Sequence, residues 1–158
     1  MIHSSDPASI DQEQDVNQKS GDEAFSLDLI CRPPTSIEAG GWIRQLCSEH
    51  QFGEDDIFRV ELCVHELAQN IVSYSNPNKS PCELHLRVQF TSSQVVLVVS
   101  DQGVPYDPIQ APPPPEIESL NDLETGGLGL HLVRQFVDNW SYQRQKDKNV
   151  LTLIVDIK

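Results

Sequence analysis

Basic residues are scarce in this chain. Eleven Lys and Arg stand against twenty-four Asp and Glu, a formal net charge of -13. Nucleic-acid binding rests on neutralising phosphates, so such a field excludes direct nucleic-acid partners, and no basic, aromatic-rich patch interrupts it. An anionic membrane surface is excluded on the same ground, whereas a basic or amphipathic protein partner is compatible. A phosphate-bearing ligand would need a positive field built locally from backbone dipoles and a metal. Only four cysteines are present (Cys31, Cys47, Cys63, Cys82), with no C-x-x-C pair, so a zinc site is not expected. Free thiols in a reducing cytoplasm are the simplest reading. The longest aliphatic run, Val95 to Val99, is far too short to span a bilayer, and the N-terminus has no apolar stretch of the signal-peptide kind. The five histidines show neither HExxH nor zinc-ligand spacing, and there is no G-x-S-x-G elbow and no Walker A lysine.

What is present suits one domain. At 158 residues and 38% hydrophobic, the chain is long enough for its own core. Residues Met1 to Glu23 are polar, acidic and without period, and read as a disordered tail. The domain is expected over 24–158. Phe25, Leu27 and Leu29 alternate with polar residues as a first strand, ended by Pro33-Pro34. Thr35 and Glu38 fit a capping box, and Ile37, Ile43, Leu46, Cys47 and His50 fall on one face of a first helix. Gly40-Gly41 inside that helix costs about 1 kcal/mol each, for which close packing is one reason. Glu54, Asp55 and Asp56 open a second helix at the end where acids favour the dipole. Its apolar residues Ile57, Val60, Val64, Leu67 and Ile71 recur at three and four, and it runs out near Ser75 to Asn78.

Leu84, Leu86, Val88 and Phe90 alternate with polar neighbours, and a turn leads into Val95 to Val99; the two segments read as an antiparallel hairpin. From Val104 to Thr125 six prolines leave room for neither helix nor sheet, and a lid is expected over 108–125. A third helix carries Leu130, Leu132, Val133, Phe136 and Val137. Trp140 to Arg144 and Val150 to Ile157 close the chain as a second hairpin. The expected fold is α+β: a two-layer sandwich with a mixed, mainly antiparallel sheet covered on one face by helices.

Three places could carry chemistry. Glu66 and Asn70 lie one turn apart on the second helix, and Cys63 extends their stripe. A carboxamide oxygen suits Mg²⁺, and a carboxylate one turn earlier can accept a hydroxyl proton; taken alone, both could simply be helix-surface residues. Asp101 follows the buried strand and precedes Gln102-Gly103, where an acid can accept a hydrogen bond from an amine and a glycine lets a flat ring approach; Asp-x-Gly is also ordinary turn chemistry. Gly126-Gly127-Leu128-Gly129-Leu130 precedes a helix whose free N–H groups and dipole can bind phosphate; the alternative is a flexible linker.

These three, in this order, resemble the GHKL ATPases. His65 to Val72 (HELAQNIV) resembles the N-box, Asp101 to Pro108 (DQGVPYDP) the first glycine box, and Gly126 to Val133 (GGLGLHLV) the second. The tail Asn149 to Leu153 (NVLTL) is similar to the final strand of one branch, the bacterial anti-sigma-factor serine/threonine protein kinases. The resemblance implies a Bergerat fold binding Mg²⁺ and ATP. Asn70 would bind the metal and Glu66 would activate the attacking hydroxyl. Asp101 would take the adenine amine with support from Thr152. Gly103, Gly126, Gly127, Leu128, Gly129 and Leu130 would surround base and phosphates. The same resemblance implies a kinase acting on a small STAS-type anti-anti-sigma protein, with a sigma factor as a further partner and homodimers as the usual assembly. The alternative kept open is a nucleotide-dependent binding module that sequesters a regulator without phosphotransfer. His65, where relatives often carry an acid or serine, and the proline-rich lid depart from the pattern.

Overall fold

A computed structural model describes residues 23–74, 81–113 and 128–158. The elements run β1 (Glu23–Ile30), α1 (Thr35–Glu49), α2 (Glu54–Tyr74), β2 (Glu83–Phe90), β3 (Gln94–Asp101), a single 3-10 turn (Pro108–Gln110), α3 (Leu128–Phe136), β4 (Asn139–Gln145) and β5 (Lys148–Asp156). The strands form one sheet in the order β1-β2-β3-β5-β4. Each of these pairings is antiparallel, so the described sheet is not mixed. The expected tail lies outside the described residues except for Glu23, which begins β1.

Side-chain alternation decides which face is covered. Leu84, Leu86, Val88 and Phe90 of β2, Val95, Leu97 and Val99 of β3, and Leu151, Leu153 and Val155 of β5 are buried, while their neighbours in sequence are half-buried or exposed. The buried rows meet Ile43 and Cys47 of α1, Ile57, Val60, Val64 and Leu67 of α2, and Leu130 and Val133 of α3 in one core. Helices therefore lie on one face of the sheet, with α2 packed between α1 and α3. Each fully buried Leu, Ile or Val contributes about 1.5–3 kcal/mol relative to exposure, which is why the helix stripe and the strand alternation set the fold.

Local details differ from the sequence expectation in three places. Thr35 does not cap α1. Its hydroxyl donates to the Ile30 carbonyl at 2.9 Å and accepts from Arg32 N–H at 3.0 Å, so it ties the β1 end to the helix start, and Glu38 pairs with Arg32 instead. Ile37 is 70% exposed; Ala39 and Ile43 take the inward positions. The segment after β3 does hold one helical turn: Pro108 sits at its first position, where its missing N–H costs nothing, and Asp107 accepts from Ile109 N–H at 3.0 Å. Arg134 of α3 then fastens this turn by donating to the carbonyls of Ile109 and Ala111. Among the described residues, no helix is long and apolar enough to cross a membrane.

Candidate functional site

The C-terminal half of α2 and the C-terminal end of β3 open onto one cleft, with about 600 Å³ of free space. Its walls are mostly apolar: Leu67, Ile71, Val99, Val104, Pro105 and Leu151. Asn70, Asp101 and Asn149 converge on it, with Tyr74, Tyr106 and Tyr142 also in its lining. An apolar slot with a few aimed polar groups is the usual build of a site for a flat heterocycle.

Asp101 is buried, and only Oδ1 is engaged by the protein: it accepts from Gly103 N–H at 2.8 Å and from Asn149 Nδ2 at 3.1 Å. The first of these bonds makes the Asp-Gln-Gly turn after β3. Among the described residues Oδ2 takes no hydrogen bond, and no buried side-chain atom is left unpaired, so Oδ2 is open to the cleft. An acceptor held in an apolar slot can recognise an exocyclic amine.

Asn149 holds this corner together. It stands directly opposite Asp101 in the β3–β5 pairing. Nδ2 donates to Asp101 and to the Val104 carbonyl at 2.8 Å; Oδ1 accepts from Tyr142 Oη at 2.6 Å, Tyr106 N–H at 3.2 Å and Arg144 Nη1 at 3.2 Å. Arg144 also donates to the Gly103 carbonyl at 2.9 Å. One buried carboxamide thus satisfies both of its donors and fixes the loop from Asp101 to Tyr106. Sequence reasoning missed Asn149, Tyr142 and Arg144. A signal existed: Asn149 is in phase with Leu151, Leu153 and Val155, the buried row of β5.

The same alternation corrects Thr152. It pairs with Val98 and Ser141 on the half-exposed rows, and so projects from the sheet face opposite Asp101. The support expected from Thr152 comes from Asn149.

Asn70 lines the cleft, half-buried, and among the described residues its carboxamide makes no hydrogen bond. Glu66, one turn earlier, lies beyond the apolar slot and lines a shallow depression with Phe58, Glu61, Leu62 and His65. Among the described residues its ionic neighbour is His65 Nδ1, at 3.6 Å. Glu66 meets the start of α3 at Gly129, where an added Cβ would lie 2.1 Å from Glu66 Oε2 and 3.1 Å from Cδ. The Glu66 carboxylate occupies the space that a side chain at position 129 would take. Gly126 and Gly127 lie outside the described residues, as does most of the expected lid. Leu128 begins α3 half-buried, and Leu130 is packed in the core, so what these two can offer a ligand is the N–H row of a helix start. Cys63 is fully buried in the core, and burial pushes its thiol up to about 12. Among the described residues, no three His, Cys, Asp or Glu gather as a metal cage.

Comparison with known proteins agrees with this geometry. The chain matches the histidine kinase-like ATPase domain over residues 33–155. It is 36% identical over 128 residues to the serine/threonine-protein kinase BtrW of Bordetella bronchiseptica, covering 81% of this chain and 90% of that protein. It is 24% identical over 133 residues to an anti-sigma F factor of Clostridium beijerinckii, covering 84% and 93%. Among solved structures, the RsbU and RsbW domains of Rv1364c from Mycobacterium tuberculosis superpose with a TM-score of 0.62 at 12% identity, over 85% of this chain and 32% of that one. The chain therefore spans about a third of that longer protein. The SiaB-SiaC complex from Pseudomonas aeruginosa gives 0.54 at 16% identity, over 84% and 89%. At these identities the two structures speak for the fold. The family match over residues 33–155 and the kinase and anti-sigma relatives lead to one conclusion: the chain belongs to the histidine kinase-like ATPase family, in its branch of serine/threonine kinases and anti-sigma factors.

Proposed function

We propose that this chain transfers the γ-phosphoryl group of Mg-bound ATP to a serine or threonine of a small STAS-type antagonist protein, and that it also binds a sigma factor in a partner switch. The observation that carries the proposal is the pairing of Asn70 and Glu66 on successive turns of α2, one facing the cleft of Asp101 and the other pressed against Gly129 at the start of α3. In this reading the adenine lies in the apolar slot with its amine on Asp101 Oδ2. The phosphates run toward the N-terminus of α3, where unpaired N–H groups and the helix dipole favour negative charge.

The residues fit a magnesium ion. Asn70 is a neutral, hard oxygen donor that makes no side-chain hydrogen bond among the described residues, and Mg²⁺ is commonly held by one or two protein oxygens plus substrate phosphates. Bound there, the ion would neutralise charge on the phosphate oxygens. Glu66 would accept the proton of the attacking hydroxyl, as a carboxylate placed within reach of it can. Phosphoryl transfer needs little else than this positioning and charge compensation. The strongly acidic surface, at -13, favours a partner with a basic face. The names of the two sequence relatives, a serine/threonine-protein kinase and an anti-sigma F factor, support the two halves of the reading.

The test is phosphotransfer from γ-labelled ATP to STAS-domain proteins of the source genome, with Glu66→Gln beside the wild type. The expected result is labelling of one such protein, lost in Glu66→Gln while ATP binding persists. ATP-dependent complexes without labelling by the wild type would contradict phosphotransfer and leave a binding module.

A further inference from the structure

The four cysteines form no disulfide, and two of them are neighbours. The register that sets Ile30 opposite Glu83 continues one step to set Cys31 opposite Cys82, and Cys31 N–H donates to the Cys82 carbonyl at 2.8 Å. Both side chains belong to the helix-covered face, Cys31 in phase with Phe25, Leu27 and Leu29, and Cys82 with Leu84. Opposed residues of an antiparallel pair have Cα atoms about 4.5–5.5 Å apart, within the roughly 4.4–6.8 Å that a disulfide spans.

The pair also adjoins the cleft. Leu84, two residues along from Cys82, pairs with Asp101, whose Oδ1 accepts from Gly103 N–H. The charge of Asp101 acts on the Cys31 thiol. We propose that Cys31 and Cys82 are a redox modification site, oxidised by a hydroperoxide to a cross-strand disulfide that weakens nucleotide binding in the adjoining cleft. The second half rests on the nucleotide reading above; the first does not.

The step balances. Both S–H bonds break and one S–S bond forms. The two electrons and two protons pass to the peroxide O–O bond, giving two waters from hydrogen peroxide. A dithiol reductant reverses the step by exchange. An S–S bond of about 2.05 Å is far shorter than a contact between two thiols. Closing it pins the end of β1 to the start of β2, two residues from Leu84, the pairing partner of Asp101, and the aim of Asp101 changes with that edge. Burial, then the neighbouring Cys82, pushes the Cys31 thiol up to about 12. Little thiolate is available near neutral pH, so the site answers sustained oxidant and ignores brief exposure.

The experiment treats the full chain with excess hydrogen peroxide, alkylates the remaining thiols and maps the peptides, while ATP is titrated into reduced and oxidised protein. The expected product is a monomer with Cys31 joined to Cys82. It is reversed by dithiothreitol, absent from Cys31→Ser and retained in Cys63→Ser. ATP affinity should fall about fivefold on oxidation, a typical size for coupling between sites. Thiols that are alkylated or oxidised singly, or bridges between chains, would overturn the site. A disulfide that forms without moving the ATP affinity would overturn its control of the cleft. Reduced protein that binds no ATP would defeat the nucleotide reading, and the peptide map would still decide the disulfide.

Discussion

Gly129 and Glu66 occupy each other's space: a Cβ on Gly129 would sit 2.1 Å from Glu66 Oε2. The carboxylate is the flexible end of its side chain, so the contact relieves itself by displacing Glu66. Replacing Gly129 with Ala therefore moves the proposed base and leaves the core alone. The helical position offsets part of the strain, since Ala is favoured over Gly by about 1 kcal/mol. The expected outcome is a fall in kcat of about tenfold or more, the size of a general-base contribution, with the melting temperature almost unchanged. Steady-state kinetics and thermal unfolding of the one variant check both.

Asn149 and Thr152 separate two views of the adenine corner. Asn149→Ala leaves Asp101 Oδ1 with Gly103 N–H alone and strips Tyr106 N–H of its acceptor. Orphaned buried groups cost about 1–3 kcal/mol, so the variant should unfold at lower denaturant and bind ATP about tenfold more weakly. Thr152→Ala, on the opposite face, should bind ATP as the wild type does. Denaturant titration and calorimetry on the pair decide the matter, and the reverse ranking would restore Thr152 to the site.

Asn70→Ala should abolish the Mg²⁺ dependence of ATP affinity. The carboxamide makes no hydrogen bond among the described residues, so its loss should cost stability less than about 0.5 kcal/mol. Titration of ATP with and without Mg²⁺ measures the first, and thermal unfolding the second.

Gly41 faces open space, and a Cβ there meets nothing within 4 Å. Gly41→Ala should raise stability by about 1 kcal/mol through helix propensity alone. Gly40 faces His65 and Glu61 of α2 at 3.7 and 3.8 Å, ordinary contact distances, so Ala is accommodated there too. Equilibrium unfolding of the two single variants checks this.

Much of the architecture was legible in the sequence because apolar residues recur at the right periods. The stripe of α2 and the alternation of β2 are side-chain patterns that burial enforces, and the structure reproduces them. What was not legible depends on contacts between distant segments. Thr35 reads as a helix cap from its neighbours, but the Ile30 carbonyl competes for its hydroxyl. Ile37 reads as core by spacing, yet α1 rolls Ala39 and Ile43 inward. At the site, Asp101 was legible as an acid at a strand end, and Gly129 as a glycine before a helix. Its close contact with Glu66 was not, because that residue lies on another helix. Thr152 was carried over by resemblance, although strict alternation along β5 already put Asn149, and not Thr152, in phase with the buried row.

The most direct test of the central claim is calorimetric titration of ATP, in the presence of Mg²⁺, into the wild type and Asp101→Asn. The substitution preserves shape and can keep the bonds from Gly103 and Asn149 on one oxygen, while it turns the atom facing the cleft from an acceptor into a donor. Saturable one-site binding to the wild type, weakened by about a hundredfold or more in Asp101→Asn, is the predicted result, because the lost bond is replaced by two opposed donors in an apolar slot. Equal affinity in the two proteins, or no binding to the wild type, would contradict the account.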